Sequence, residues 1–240
     1  MKLEHRHDHA AITARLAEAQ RFSYVRDFIY GGIDGAITTF AIVSGVIGAA
    51  LSSKVILILG LANLLADGFS MAASNYSGMK TTVDDFKRVS EIEKKHIRVN
   101  PEGETEEMRQ LLRKKGLNGE TLEDVVSTIV ADEQRWIDFM LIEEYGLSLI
   151  QPSPFLAGLA TFVAFIFCGA VPLLPFIFAI PSAFTVSIIM TGIVFFLIGA
   201  AKSKWTLAPW WHSGLETLAI GCIAAALAFG VGYFLSNMIS

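Results

Sequence analysis

Two carboxylates stand inside otherwise uncharged apolar stretches of this chain, Asp34 in the first stretch and Asp67 in the second. An ionisable group in the middle of a bilayer costs roughly 2.5–3.5 kcal/mol on insertion scales, so such groups usually face a protein-lined cavity and handle ions or protons. Asn63, Asp67 and Met71 follow one another at intervals of four, which stacks an amide, a carboxylate and a thioether along one helix face. Asn75 extends that row, and Thr38 lies one helical turn beyond Asp34. Oxygen donors suit hard divalent ions and sulfur suits softer transition metals, so the mixed set fits iron(II) or a similar ion. Met71 alone reads as core, and Asp34 alone as a local polar cap. Ion handling is the reading that covers both acids.

A second group of donors lies between the second and third apolar stretches. Residues 80–150 hold sixteen of the twenty-three acids, against eleven bases. Glu93 and His96 are three apart, as are Glu104 and Glu107, so each pair falls on one face of a helix. Met140, Glu143 and Glu144 come just before the chain returns to its third apolar stretch. Each glutamate taken singly is an ordinary solvated residue; three helices turning them inward would hold several divalent ions, and only convergence in space separates the two. The acid excess likewise reads either as a cation-attracting surface or as a plain solvated exterior. It speaks against nucleic acid as a partner, which calls for a basic face. The opening HRHDH alternates His5, His7 and His9, a pattern that binds a transition metal or is simply a disordered polar terminus. Cys168 and Cys222 have neither disulfide nor zinc spacing and read as small packing residues.

The elements that must position these groups are helical and mostly membrane-spanning. With 53% hydrophobic residues and a mean hydropathy of +0.51, the chain is more apolar than a soluble domain of this length. Five stretches reach the ~20 apolar positions that cross a bilayer: 28–51, 55–79, 155–178, 181–201 and 213–235. The expected fold is an all-α integral membrane protein of five transmembrane helices, with a small cytosolic three-helix metal-binding domain inserted between spans two and three. Its parts are a cytosolic N-terminal segment (1–27), spans one and two (28–79), the helical insert (80–150) and spans three to five (151–240). The first 27 residues are polar, hold four arginines and lack a cleavable-signal pattern; residues 10–22 suit a helix on the membrane surface. Five Lys/Arg precede the first span, eleven lie between Lys80 and Arg135, Lys202 and Lys204 follow the fourth span, and only Lys54 lies on the other side. That asymmetry places the N-terminus and the insert in the cytosol and the C-terminus outside.

Within the insert, the second helix is expected to run past the membrane through Phe86, Val89, Ile92 and His96 to Asn100 and Pro101. Pro101 and Gly116 bracket a short helix near 104–115. A third helix is expected from Thr121, with Leu122, Val125, Val126 and Ile129 as its apolar face, continuing unbroken through Trp136, Phe139 and Met140 towards Gly146. A domain of about 60 residues is marginal alone, so metal or a second copy would complete it. Gly31, Gly35, Ala41, Gly45 and Gly48 give span one a small-residue surface on which two copies could meet around Asp34.

Three motifs carry a resemblance: IDGAITTFAIVSG in span one, ADGFSMAASNY in span two and WIDFMLIEEYGL before span three. Together, in this order around an acidic insert, they resemble the vacuolar iron transporter family and its bacterial relatives, from Arg26 to the last helix. The resemblance implies a dimeric five-span exporter that clears ferrous iron, and often manganese, from the cytosol while protons return. It implies Asp34 and Met71 as the aspartate and methionine of the translocation path, and Glu93, Glu104, Glu107, Met140 and Glu144 as cytosolic metal ligands. His96 falls where the plant-type pattern has another glutamate, and Leu141 where it has a second methionine. Asn63 stands where that pattern has a glutamate and Thr39 where it has a proline; Asp67, one turn on, is placed to replace the missing carboxylate.

The leading expectation is therefore a secondary transporter, not an enzyme. Its partners are divalent metal ions, protons and the bilayer, it forms a homodimer, and it holds no permanent cofactor: Fe(II) or Mn(II) is its cargo. A prokaryotic inner membrane is the expected location, with a vacuolar membrane as the other. The alternatives are a membrane-anchored di-iron ferroxidase, for which the single Glu-x-x-His at Glu93 and His96 is half of the needed pair, and a metal-sensing or storage protein.

Overall fold

Among the residues that the computed structural model describes, 6–18 and 22–239, all regular structure is helical. In chain order the helices are α1 (His9–Glu18), α2 (Val25–Gly48), α3 (Ser53–Val99), α4 (Pro101–Lys114) and α5 (Gly119–Val130). They continue with α6 (Glu133–Glu143), α7 (Pro154–Ala170), the short α8 (Leu174–Ile177), α9 (Ala183–Lys202) and α10 (Trp210–Ile239). Five segments are long and apolar enough to cross a membrane: Val25–Gly48, Ser53–Val99, Pro154–Ile177, Ala183–Trp205 and Trp210–Met238. This is the architecture of a multi-pass membrane protein.

The chain divides into two compact units. One comprises Ser23–Ser77 and Pro154–Ser240 and contains α2, the first part of α3, and α7 to α10. Within it α2 packs against α7, α9 and α10. Ala36, Phe40, Val43, Ile56, Leu64, Phe165, Leu173 and Phe195 form its core. The expected meeting of two copies through the glycines of span one is not how this structure uses them. A side chain at Gly31 or Gly35 would run into the α7 backbone at Thr161 or Phe165, and one at Gly48 into the α10 backbone at Phe229. The small-residue surface is used within the chain, where close backbone approach replaces a hydrophobic drive that lipid does not supply. The expected span 155–178 is present as Pro154–Ile177, and its far end is broken at the prolines. α7 stops at Ala170, a 3-10 turn covers Val171–Leu173, and α8 follows. Pro172 and Pro175 cannot donate to the helix ladder, and within that turn the buried Ser187 hydroxyl donates to the Pro172 carbonyl at 2.8 Å.

The other unit comprises residues 1–22, as far as described, and Gly78–Ser153. α3 continues unbroken to Val99, as its sequence predicts, and α4 starts where Asn100 accepts a hydrogen bond from the Gly103 amide at 3.3 Å. The expected single third helix is two. Asp132 accepts from the Arg135 amide at 2.9 Å and starts α6, while the Arg135 guanidinium donates to the Thr128 carbonyl freed at the end of α5, at 2.7 Å. Val89, Ile97, Met108, Leu112, Leu122, Val126, Trp136 and Met140 form the core here. In the head, Asp8 accepts from the Ala11 amide at 2.9 Å and opens α1. His7 and His9 are exposed, whereas His5 and residues 19–21 of the predicted surface helix lie outside the described residues.

Candidate metal centre and intramembrane path

The acidic unit places three donors together by putting polar residues on apolar helix faces. Glu93 lies four residues from both Val89 and Ile97, which are buried, and is itself fully buried. Glu104 lies four residues before the buried Met108 and is 6% exposed. Met140 is fully buried on α6, four residues after Trp136. Glu93, His96 and Glu104 each offer a ligand atom within 4.8 Å of the others, with His96 Nδ1 3.3 Å from Glu104 Oε1. Neither oxygen of Glu93, nor Oε2 of Glu104, has a donor in good hydrogen-bonding geometry, although the Tyr145 hydroxyl and the Glu104 carboxyl lie close to Glu93. Buried carboxylate oxygens without well-placed donors are costly, and a divalent cation is a partner that carboxylate and imidazole groups can share.

The charges around this cluster are mostly of one sign. Burial, then the adjacent Glu104 and the charge of Glu144, push the Glu93 carboxyl up to about 8, with the Tyr145 hydroxyl acting weakly the other way. Glu144 is exposed, and its pKa is raised by local burial and then by Glu107 and Glu104. The Tyr145 phenol is pushed up to about 12 by burial and by Glu144 and Glu93. Glu107 is exposed but belongs to the same electrostatic group. Glu143 does not: its carboxylate pairs with Lys115 Nζ at 2.6 Å. Gly146, at φ +66°, ends α6 by letting the Leu147 amide donate to the Leu141 carbonyl at 2.9 Å, which fixes the turn carrying Glu144 and Tyr145.

In the membrane unit, Asp34 on α2 and Asp67 on α3 are both half-buried and close enough for their charges to act on each other. Asn63 Nδ2 donates to Thr38 Oγ1 at 3.3 Å, tying the two helices beside those acids. Met71 is half-buried against the core. The predicted row on α3 therefore meets α2 at two levels, Asn63 through Thr38 and Asp67 beside Asp34. Asn75, at the end of that row, serves a different group: its Nδ2 lies 2.8 Å from Asp27 Oδ1 and 2.8 Å from Thr161 Oγ1. Asp27 is 8% exposed, and Thr161 is fully buried. Asp27 and Thr161 escape a reading that begins span one at Phe28. The available signal was a polar residue at the same end of three apolar stretches. Tyr145 was missed as well, although it directly follows the Glu143 and Glu144 pair.

The VIT family model matches residues 25–233. The chain belongs to the VIT family. The match starts at the first residue of α2, so the histidine-bearing head of this VIT-family chain lies outside it. It is 34% identical over 211 residues to vacuolar iron transporter 1 of Eucalyptus grandis, covering 86% of this chain and 84% of that protein. Vacuolar iron transporter 1 of Arabidopsis thaliana is 34% identical over 85% of this chain and 83% of its own length. The vacuolar iron transporter of Toxoplasma gondii is 31% identical over 90% of this chain and 76% of its own. Both the Gly78–Ser153 part of the acidic unit and the two aspartates of the apolar helices, Asp34 and Asp67, fall inside the matched residues of this VIT-family protein.

Proposed function

We propose that this chain is a secondary transporter that carries divalent transition metal, ferrous iron first and manganese second, out of the cytosol in exchange for protons. The observation that carries this reading is the pair Asp34 and Asp67 in two membrane-crossing helices, close enough for their charges to interact and beside the Asn63–Thr38 hydrogen bond, with Met71 one turn along α3 from Asp67. Carboxylate, amide, hydroxyl and thioether donors offset the loss of hydration as the ion enters the bilayer. Protonation of Asp34 from the far side weakens those bonds, because ligands bind metal when deprotonated, and the ion leaves.

The inserted unit is a cytosolic metal-binding domain of α4, α5 and α6 with the end of α3. Its Glu93, His96, Glu104 and Met140, with Glu107 and Glu144 nearby, collect cargo and raise its concentration for the membrane site. The relatives' names support iron as cargo. The protein works as a homodimer, with its N-terminus in the cytosol and its C-terminus outside. A vacuolar membrane, as in the relatives' names, and a prokaryotic inner membrane both serve this direction, since each bounds the cytosol.

The test is metal flux in proteoliposomes with external Fe(II) or Mn(II), internal acid and an internal pH dye. Wild-type protein is expected to couple metal entry to proton exit. Asp34→Asn, which keeps the shape and removes the titrating group, should abolish both. Undiminished exchange in that variant overturns the role given to Asp34.

A further inference from the structure

A cavity of about 380 Å³ in the membrane unit is lined by none of the candidate metal donors. Val25, Arg26 and Ile29 of α2 line one side, and Lys202, Trp205 and Thr206 line the other. Arg26 is exposed and has no ion pair among the described residues, while Lys202 Nζ lies 3.3 Å from the Glu216 carboxylate. Two cations therefore border the site against one acid, and Arg26 is the uncompensated one. Asp27, next in sequence, is turned to Asn75 instead. Val25, Ile29 and Trp205 supply apolar wall, and Thr206 adds a hydroxyl.

The surroundings decide which anion fits. Trp205, Trp210 and Trp211 are 50–60% exposed at the junction of α9 and α10. Exposed tryptophans at the ends of membrane-crossing helices mark the level of the lipid headgroups. Basic pockets between spans at this level attract anionic headgroups, each cation near the surface strengthening binding by roughly fivefold. We propose that this cavity binds an anionic phospholipid, its phosphate between Arg26 and Lys202 and an acyl chain along Val25 and Ile29. The lipid would clamp the start of α2, which carries Asp34, to the end of α9.

The probe is native mass spectrometry of the full-length protein with phosphatidylglycerol and phosphatidylcholine of identical chains. Wild-type protein is expected to retain phosphatidylglycerol roughly tenfold over phosphatidylcholine. Arg26→Gln, which leaves the Lys202 pair intact, should lower that preference about fivefold, and adding Lys202→Gln should remove it. Lys54→Gln, in the first turn of α3, should leave it unchanged. Equal retention of the two lipids by wild type, or full preference in the double variant, overturns the proposal. So does displacement of phosphatidylglycerol by millimolar inorganic phosphate, which would assign the site to the free ion.

Discussion

Glu93 concentrates the chemistry of the acidic unit because it is a carboxylate in a position built for an apolar side chain. Its raised pKa has a definite sign. In the metal-free protein, burial favours the protonated form, so Glu93 contributes most to stability below the ordinary glutamate value of 4.5. That contribution is lost as pH rises through about 8. Metal acts in the opposite direction, since binding must displace the proton. Affinity for Co(II) or Mn(II) is therefore expected to climb about tenfold per pH unit from pH 6 towards 8 and then flatten. Calorimetric titration of the full-length protein across that range checks it. Glu93→Gln should bind more weakly and lose most of the slope; an unchanged slope would move the proton to another group. In the proposed site His96 would tilt the donor set towards borderline ions, because imidazole suits iron and zinc better than it suits magnesium or calcium.

At the scale of elements, α2 governs the membrane unit through what its glycines lack. Gly35 leaves room for the α7 backbone at Phe165, and that approach brings α7 against the side of α2 next to Asp34. Gly35→Val should lower the unfolding temperature sharply and reduce folded yield, since a rigid branched side chain there meets backbone and not a yielding side chain. Gly78 is a contrasting control: it is helical, and a Cβ there would meet nothing within 4 Å. Gly78→Ala should stabilise the protein by roughly 0.5–1 kcal/mol through backbone entropy alone. Thermal unfolding of the two variants in one detergent separates a packing role from a conformational one. The break between α5 and α6 follows a similar local logic, since Asp132 and Arg135 offer the backbone better partners than one continuous helix would.

For the whole molecule, the apolar surface is the outstanding feature. Leu215, Ile220, Ile223, Leu227, Val231 and Phe234 of α10 are all exposed, as are Ile58, Leu65 and Phe69 of α3. In a multi-pass protein such faces meet lipid or another copy. The proposed homodimer predicts a mass of twice 26.1 kDa, apart from bound lipid, when the protein is released from nanodiscs into native mass spectrometry. A protein that stays monomeric there at all lipid ratios would refute it. The interface must lie on a face other than the Gly31 and Gly35 surface, which α7 already covers.

Hydropathy, charge asymmetry and helix punctuation are local properties, so the sequence by itself determined the five membrane-crossing segments, the long α3 and the start of α4 at Pro101. It also marked Asp34 and Asp67, because an acid in an apolar stretch is visible without any neighbour. The tertiary structure alone decided that Glu93, His96 and Glu104 converge while Glu143 turns to Lys115. It decided equally that Asn75 serves Asp27, and that α7 and α10 take the glycine face of α2. Those outcomes depend on which distant segments pack together. Spacing along one helix gives the face a residue occupies, and only packing gives what that face meets.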